Sequence, residues 1–206
     1  MLNILFSGVG GQGTVLASKI VAKSAIARGL PAHTAETIGM AQRGGCVVSH
    51  VRIGEGVCSP LIPKGEADVI IGFEPAEAAR ALPYLKKGGR VVVCDTAVKP
   101  VTDALSKTSY DAARMIDYLR AQDIQLIVLD GAAVLSACGT AKVLNVALLG
   151  AAAAAGAIGM TPADLCQVVE TTLSAKFREI NLKALSLGAA AYADAANRTG
   201  LSDEKN

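Results

Sequence analysis

The chain opens on Leu2-Asn3-Ile4-Leu5-Phe6-Ser7, an apolar run of a length that suits a short buried strand, and passes directly into Gly8-Val9-Gly10-Gly11-Gln12-Gly13. Thr14 to Arg28 then follows an amphipathic helical pattern, closed by Gly29. Strand, Gly-x-Gly-x-x-Gly turn and helix, in that order, are the parts of a phosphate-binding βαβ unit. Glycines let the backbone turn sharply and approach a phosphate, and the helix N-terminus presents free N–H groups with a partial positive charge. The triplet alone is a weak signal, but its context between strand and helix nearly decides the fold. It leaves the ligand open.

Strand and helix patterns continue downstream. Pro31 to Glu36 reads as a second strand and Cys46 to Ile53 as a third, separated by a glycine-containing loop from Thr37 to Gly45. Gly54-Glu55-Gly56 signals a tight turn, and Val57 to Ile62 is expected to pair back as a hairpin, which would make the sheet mixed. Asp68 to Gly72, Arg90 to Asp95 and Gln125 to Asp130 read as buried strands, with helices over Pro75–Leu82 and Asp111–Gln122 and a turn at Lys86-Lys87-Gly88-Gly89. Alternation at this spacing predicts a three-layer α/β/α sandwich, Rossmann-like, with a mostly parallel sheet. From Ala132 onward the pattern is helical. Thr161-Pro162-Ala163-Asp164 is a helix start, with a Thr cap, Pro at the first position and an acid in the first turn. Phe177 to Asn197 forms the last helix. Residues 1–201 are read as one domain and Ser202 to Asn206 as a polar tail.

Composition narrows the function classes. A net charge of +2 and an aromatic content of 3% give no basic, aromatic-studded surface for nucleic acid. With 51% hydrophobic residues and no Trp, the core must be built from Ala, Val, Leu and Ile. Val146 to Met160, the most apolar stretch, is shorter than the roughly 20 residues that span a bilayer, so it reads as a buried helix. The N-terminus lacks a basic leader and runs straight into a strand, which points to a cytoplasmic protein. Five cysteines (Cys46, Cys58, Cys94, Cys138, Cys166) lie at wide spacing with no C-x-x-C pair, unlike iron–sulfur or zinc sites. They read as reduced and buried.

Few residues suit acid–base or nucleophilic chemistry. The two histidines, His33 and His50, both fall in predicted strands and read as structural. Asp95 and Asp130 end strands on the ligand-binding edge, where an acid serves either a ligand or a helix cap. Motifs of serine hydrolases, zinc proteases and P-loops are absent from the sequence. The second informative segment is Glu36-Thr37-Ile38-Gly39-Met40-Ala41-Gln42-Arg43-Gly44-Gly45. Its glycines suit close backbone approach, Arg43 can fork onto a carboxylate or phosphate, and Met40 offers an adaptable apolar contact.

These two segments together resemble the gamma domain of the 2-oxoacid:ferredoxin (acceptor) oxidoreductases. Gly8-Val9-Gly10-Gly11-Gln12-Gly13 is similar to that family's glycine turn and Arg43-Gly44-Gly45 to its second signature. Ile38 to Gly45 with Val48-Ser49-His50-Val51-Arg52 is most similar to the small (beta) subunits of the indolepyruvate branch. The likeness continues through Asp68 to Ala78, Leu85 to Gly89, and the Lys176-Phe177, Asn181, Ala184 and Gly188 pattern. The resemblance implies oxidative decarboxylation of an aryl 2-oxoacid to an acyl-CoA, with ferredoxin as electron acceptor. It further implies that thiamine diphosphate, Mg and [4Fe-4S] clusters sit in a large (alpha) partner subunit, where the thiamine supplies nucleophile and electron sink. Coenzyme A is then the co-substrate, and Gly8, Gly10, Gly11, Gln12, Gly13, Arg43, Gly44 and Gly45 are the candidate cofactor-binding residues. A hetero-oligomer with no nucleic-acid or membrane partner follows, self-association of the lone chain being left open.

Two other readings compete. A stand-alone NAD- or FAD-binding oxidoreductase would use Glu36 to hold the ribose hydroxyls at the end of the second strand. Against it, nothing after residue 130 resembles a substrate-holding region. The remaining reading is a binding scaffold outside any enzyme.

Overall fold

The computed structural model describes residues 1–36, 45–98 and 110–199, with side chains as far as Asp194. The predicted tail, Ser202 to Asn206, and most of the loop after Glu36 lie outside the described residues. Among the described residues six strands form one sheet: β1 (Leu2–Val9), β2 (Ala32–Glu36), β3 (Cys46–Ile53), β4 (Ala67–Gly72), β5 (Leu85–Cys94) and β6 (Gln125–Leu129), in the order β2-β3-β1-β4-β5-β6. β1, β4, β5 and β6 run parallel, and β3 runs antiparallel between β1 and β2. The sheet is therefore mixed, as expected, but for a different reason. Val57 to Ile62 forms no strand. Pro60 and Pro63 lack the N–H groups that a ladder needs, and side chains fasten the segment instead. Arg52 donates to the Ser59 and Leu61 carbonyls at 2.9 and 3.3 Å, and the Ile62 N–H reaches His50 Nδ1 at 3.2 Å.

Helices cover both faces. α1 (Thr14–Ala27) lies on one face, with a helical layer made of α4 (Gly131–Cys138), α5 (Leu144–Ala154), α6 (Pro162–Thr172) and α7 (Ala175–Thr199). α2 (Pro75–Ala81) and α3 (Ala112–Arg120) cover the other. The alternation of strand side chains divides the core accordingly. Ile4, Phe6, Val69, Ile71 and Val92 face α1 and α5, whereas Leu5, Ile70, Val91 and Val93 face α2 and α3. Strands buried on both sides read as unbroken apolar runs, which is why the sequence shows β1, β4 and β5 so plainly.

Small residues set the helix packing. α5 is buried along its length, and α7 crosses it at Gly150 and Gly188. A Cβ added at Gly188 would lie 1.8 Å from the Ala147 carbonyl oxygen, and one at Gly150 would lie 2.1 Å from that of Leu185. Ala184 is fully buried at this crossing, and Asn181 spends its amide on the Phe177 carbonyl at 2.7 Å. The C-terminal sequence pattern is thus a packing code. α6 begins as its sequence predicts: the Thr161 and Asp164 side chains reciprocally cap the first turn, and the backbone and hydroxyl donors of Thr161 hold the Asp164 carboxyl below its usual range.

Lys86 to Gly89 lies within β5, where it shifts the register against β4. Among the described residues no helix is long and apolar enough to cross a membrane.

Candidate functional site

The parallel strands β1, β4, β5 and β6 end at one edge, which also carries the start of β3 and the N-termini of α1, α2 and α4. In open α/β sheets this is the edge that binds ligands. The glycine turn crosses its centre. Gly8 is the penultimate residue of β1, and Gly13 caps α1 in the left-handed conformation at φ 79°. A Cβ on Gly13 would fall 2.4 Å from Asn145 Nδ2, so both the backbone angle and the space at this position require glycine.

The turn spends much of its hydrogen-bonding capacity internally. Gly10 N–H donates to the Gly45 carbonyl at 2.9 Å, which joins the first sequence motif to the last residue of the second. Gln12 lies back over the turn. Its Oε1 accepts from Val9 N–H at 2.7 Å, its Nε2 donates to the Phe73 carbonyl at 3.0 Å, and its own N–H donates to the Val9 carbonyl at 3.1 Å. Gln12 thereby ties the end of β1 to the residue following β4. Asn145, buried at the start of α5, donates from Nδ2 to the Gly13 carbonyl at 3.2 Å and anchors the turn to the helical layer.

Beside the turn is a cleft of about 170 Å³ whose wall includes Gly11, Gln12, Thr96, Lys142 and Asn145. Cys94 also lines it, with its Sγ 3.3 Å from Thr96 Oγ1, and burial pushes this thiol up from its ordinary value. The sequence reading missed Thr96, Lys142 and Asn145, because they come from segments remote in sequence and carry no motif. The only local trace is Thr140, which caps the turn bearing Lys142 through the Lys142 N–H at 3.3 Å.

Of the sequence candidates, Gly8, Gly10, Gly11, Gln12, Gly13 and Gly45 converge on this edge, and Arg43 and Gly44 lie outside the described residues. The acids divide differently. Asp130 caps α4 by accepting from Ala133 N–H, and Asp95 accepts from Gly131 N–H, both at 2.9 Å. Each therefore serves a helix start. Glu36 ends β2, but β3 intervenes between β2 and β1, so two strand spacings, about 10 Å, separate it from the glycine turn. A ribose-binding acid belongs on the strand next to β1, and this topology removes it.

His50 is buried and structural as expected, stacked edge-on against Tyr84, and burial lowers its pKa so that it accepts as a neutral ring. His33, however, is exposed on β2. The cysteines are all free, but only Cys94 is buried, with Cys138 and Cys166 partly covered and Cys46 and Cys58 exposed. That corrects the expectation that all five sit in the core. Cys46 is the first residue of β3, opposite Val9, and Cys58 lies in the irregular segment that follows the strand.

Comparison with known proteins adds an independent line. Residues 3–191 match the family described as pyruvate ferredoxin/flavodoxin oxidoreductase. The chain is 37% identical over 188 residues to indolepyruvate oxidoreductase subunit IorB of Archaeoglobus fulgidus, covering 91% of this chain and 93% of that protein. The gamma subunit of a keto/oxoacid ferredoxin oxidoreductase from Geobacter sulfurreducens superimposes with a TM-score of 0.70 at 23% identity, over 94% of this chain and 99% of that one. The 2-oxoglutarate:ferredoxin oxidoreductase of Magnetococcus marinus, solved with 2-oxoglutarate, coenzyme A and succinyl-CoA bound, contains the same fold. It superimposes with a TM-score of 0.65 at 17% identity, over all of this chain and 32% of that one.

Proposed function

The chain belongs to the pyruvate ferredoxin/flavodoxin oxidoreductase family, and from that premise we propose that it is the small subunit of an indolepyruvate:ferredoxin oxidoreductase, inactive by itself. The observation that carries the substrate class is end-to-end similarity to subunits of that name, at 37% identity in one archaeal relative and 31% in another. Thiamine diphosphate, Mg and the iron–sulfur clusters then belong to a large partner subunit. Asp95 and Asp130 at the ligand edge are engaged by the start of α4, which leaves the chemistry to groups the partner would supply. Five free thiols suit a reducing cytoplasm.

What this subunit adds is a docking edge, and we assign coenzyme A to it. The cleft beside Gly11 and Gln12 offers the Lys142 ammonium, the Asn145 amide and the Thr96 hydroxyl, which suit a phosphate or an amide of the coenzyme. At about 170 Å³ it is smaller than the roughly 300–1,000 Å³ of complete small-molecule pockets. It therefore takes one part of the coenzyme and leaves the rest to the partner. Gly8, Gly10 and Gly13 complete the turn that carries Gly11 and Gln12, Gly45 is bonded to it through Gly10 N–H, and we assign Arg43 and Gly44 to coenzyme binding from the sequence motif alone.

Lys142→Ala and Arg43→Ala are the test. In the reconstituted complex each is expected to raise KM for coenzyme A roughly tenfold, the loss of one charge-assisted contact of about 1.5 kcal/mol, without shifting the melting of the lone subunit. An unchanged KM for both variants would remove coenzyme A from this edge.

A further inference from the structure

On the α2 side of the same edge lies a second cleft, of about 130 Å³, whose wall includes Cys46, Glu74, Glu77, Arg80 and Tyr110. Its carboxylates are not surface charges: Glu74 is 2% exposed and Glu77 5%. Glu74 is accounted for inside the chain. Its Oε2 accepts from the Ala76 and Glu77 N–H groups at 2.8 and 3.1 Å and so caps α2, while its Oε1 accepts from the Tyr110 hydroxyl. Glu77 is half accounted for. Oε1 pairs with Arg80, whose side chain is largely in solvent, but Oε2 is buried and has no hydrogen-bond partner among the described residues. The Cys46 thiol in the same wall is a weak donor, and partial desolvation together with the Glu77 carboxylate raises its pKa to about 11.

A buried carboxylate oxygen with an open lone pair is costly unless a donor reaches it. Among the described residues of this wall two acids face a single guanidinium, so the cleft favours a positively charged donor. Its volume is below that of a small-molecule pocket and matches the head of one long side chain. We propose that this cleft receives an arginine or lysine head group of the large partner subunit, which completes the hydrogen bonding of Glu77 only in the assembled enzyme. The inference rests on the assignment of the chain as a subunit of such a complex. It makes Glu77, which does not line the coenzyme cleft, a determinant of assembly.

The experiment is Glu77→Gln, which keeps the shape and removes the charge. Melting of the lone subunit should be unchanged or slightly raised, because an uncompensated buried charge is removed. Affinity for the large subunit, titrated by calorimetry or light scattering, should fall roughly tenfold or more. KM for coenzyme A at saturating partner should stay the same. Equal affinity of the wild-type and variant chains for the large subunit would overturn the proposal. So would a marked loss of stability in the lone variant, which would show that the carboxylate is used within the chain. A raised KM with intact assembly would place a small ligand in the cleft instead, and equally overturns it. Failure of the wild-type chain to bind any large subunit is a different result, and counts against the subunit assignment itself.

Discussion

Gly188→Val is expected to destabilise the subunit by about 3 kcal/mol or more, enough to lower its melting temperature by many degrees. At this crossing a Cβ would sit 1.8 Å from the Ala147 carbonyl oxygen and 2.7 Å from the carbonyl carbon. Both are backbone atoms of a helix buried on all sides, so no rotamer change relieves the contact. α5 and α7 must separate, which opens the packing around Val146, Leu149 and Leu185. Valine at the exposed position 190 of the same helix is the control. Ala190→Val costs only the helix propensity of a β-branched residue, about half a kcal/mol. Equal urea midpoints for the two variants would show that the α5–α7 contact is looser than described.

Gln12→Leu is the second large effect, expected at about 2 kcal/mol in the lone subunit. Leucine is close in volume but leaves Val9 N–H and the Phe73 carbonyl without the partners that Gln12 provides at 2.7 and 3.0 Å. Each orphaned buried backbone group costs about 1–3 kcal/mol, discounted here because Gln12 is half-exposed and water reaches part of the site. This outcome divides the structural role of Gln12 from a ligand role. A residue that only touched coenzyme would leave lone-subunit melting unaltered and change KM alone. Denaturant melts of the isolated variant decide between them.

The contrast between these two positions shows what a sequence discloses. Local periodicity and capping chemistry are short-range, so β1, the turn and α1, and the helix start at Thr161 to Asp164, are legible in the sequence alone. The apolar run from Val146 to Met160 marks a buried helix, although α5 ends at Ala154 and Ala155 to Met160 turn away from it, and the packing role of Gly188 emerges only in the fold. The insertion of β3 between β1 and β2 was not readable, because strand order is decided by pairing across more than ten residues and leaves no mark on either strand. That one insertion separates Glu36 from the glycine turn and dismisses the dinucleotide reading.

The hairpin expected at Val57 to Ile62 failed for a related reason. Gly54-Glu55-Gly56 does turn the chain, but Pro60 and Pro63 deny the return strand its ladder, and Arg52 and His50 capture the segment. Of the site, the glycine residues were legible as a motif and their use was not. A Gly-x-Gly-x-x-Gly turn suggests a cradle of free N–H groups, whereas Gly10 and Gln12 here hold the turn to Gly45, Val9 and Phe73. Lys142, Asn145 and Glu77 reach the edge only through folding. Glu77 does lie in a legible signal, since Glu74-Pro75 reads as a helix cap followed by proline at the first position.

As the proposed small subunit, the chain is one half of a thiamine-dependent enzyme and does no chemistry alone. The most direct measurement is indolepyruvate-dependent reduction of ferredoxin, or of a viologen dye, by three samples: the lone chain, its large subunit alone, and the two purified together. The expected result is a stable complex that turns over only with indolepyruvate and coenzyme A present, and a lone chain that is colourless and inactive. Turnover by the lone chain, tightly retained dinucleotide in it, or a full rate from the large subunit without it would each contradict the assignment.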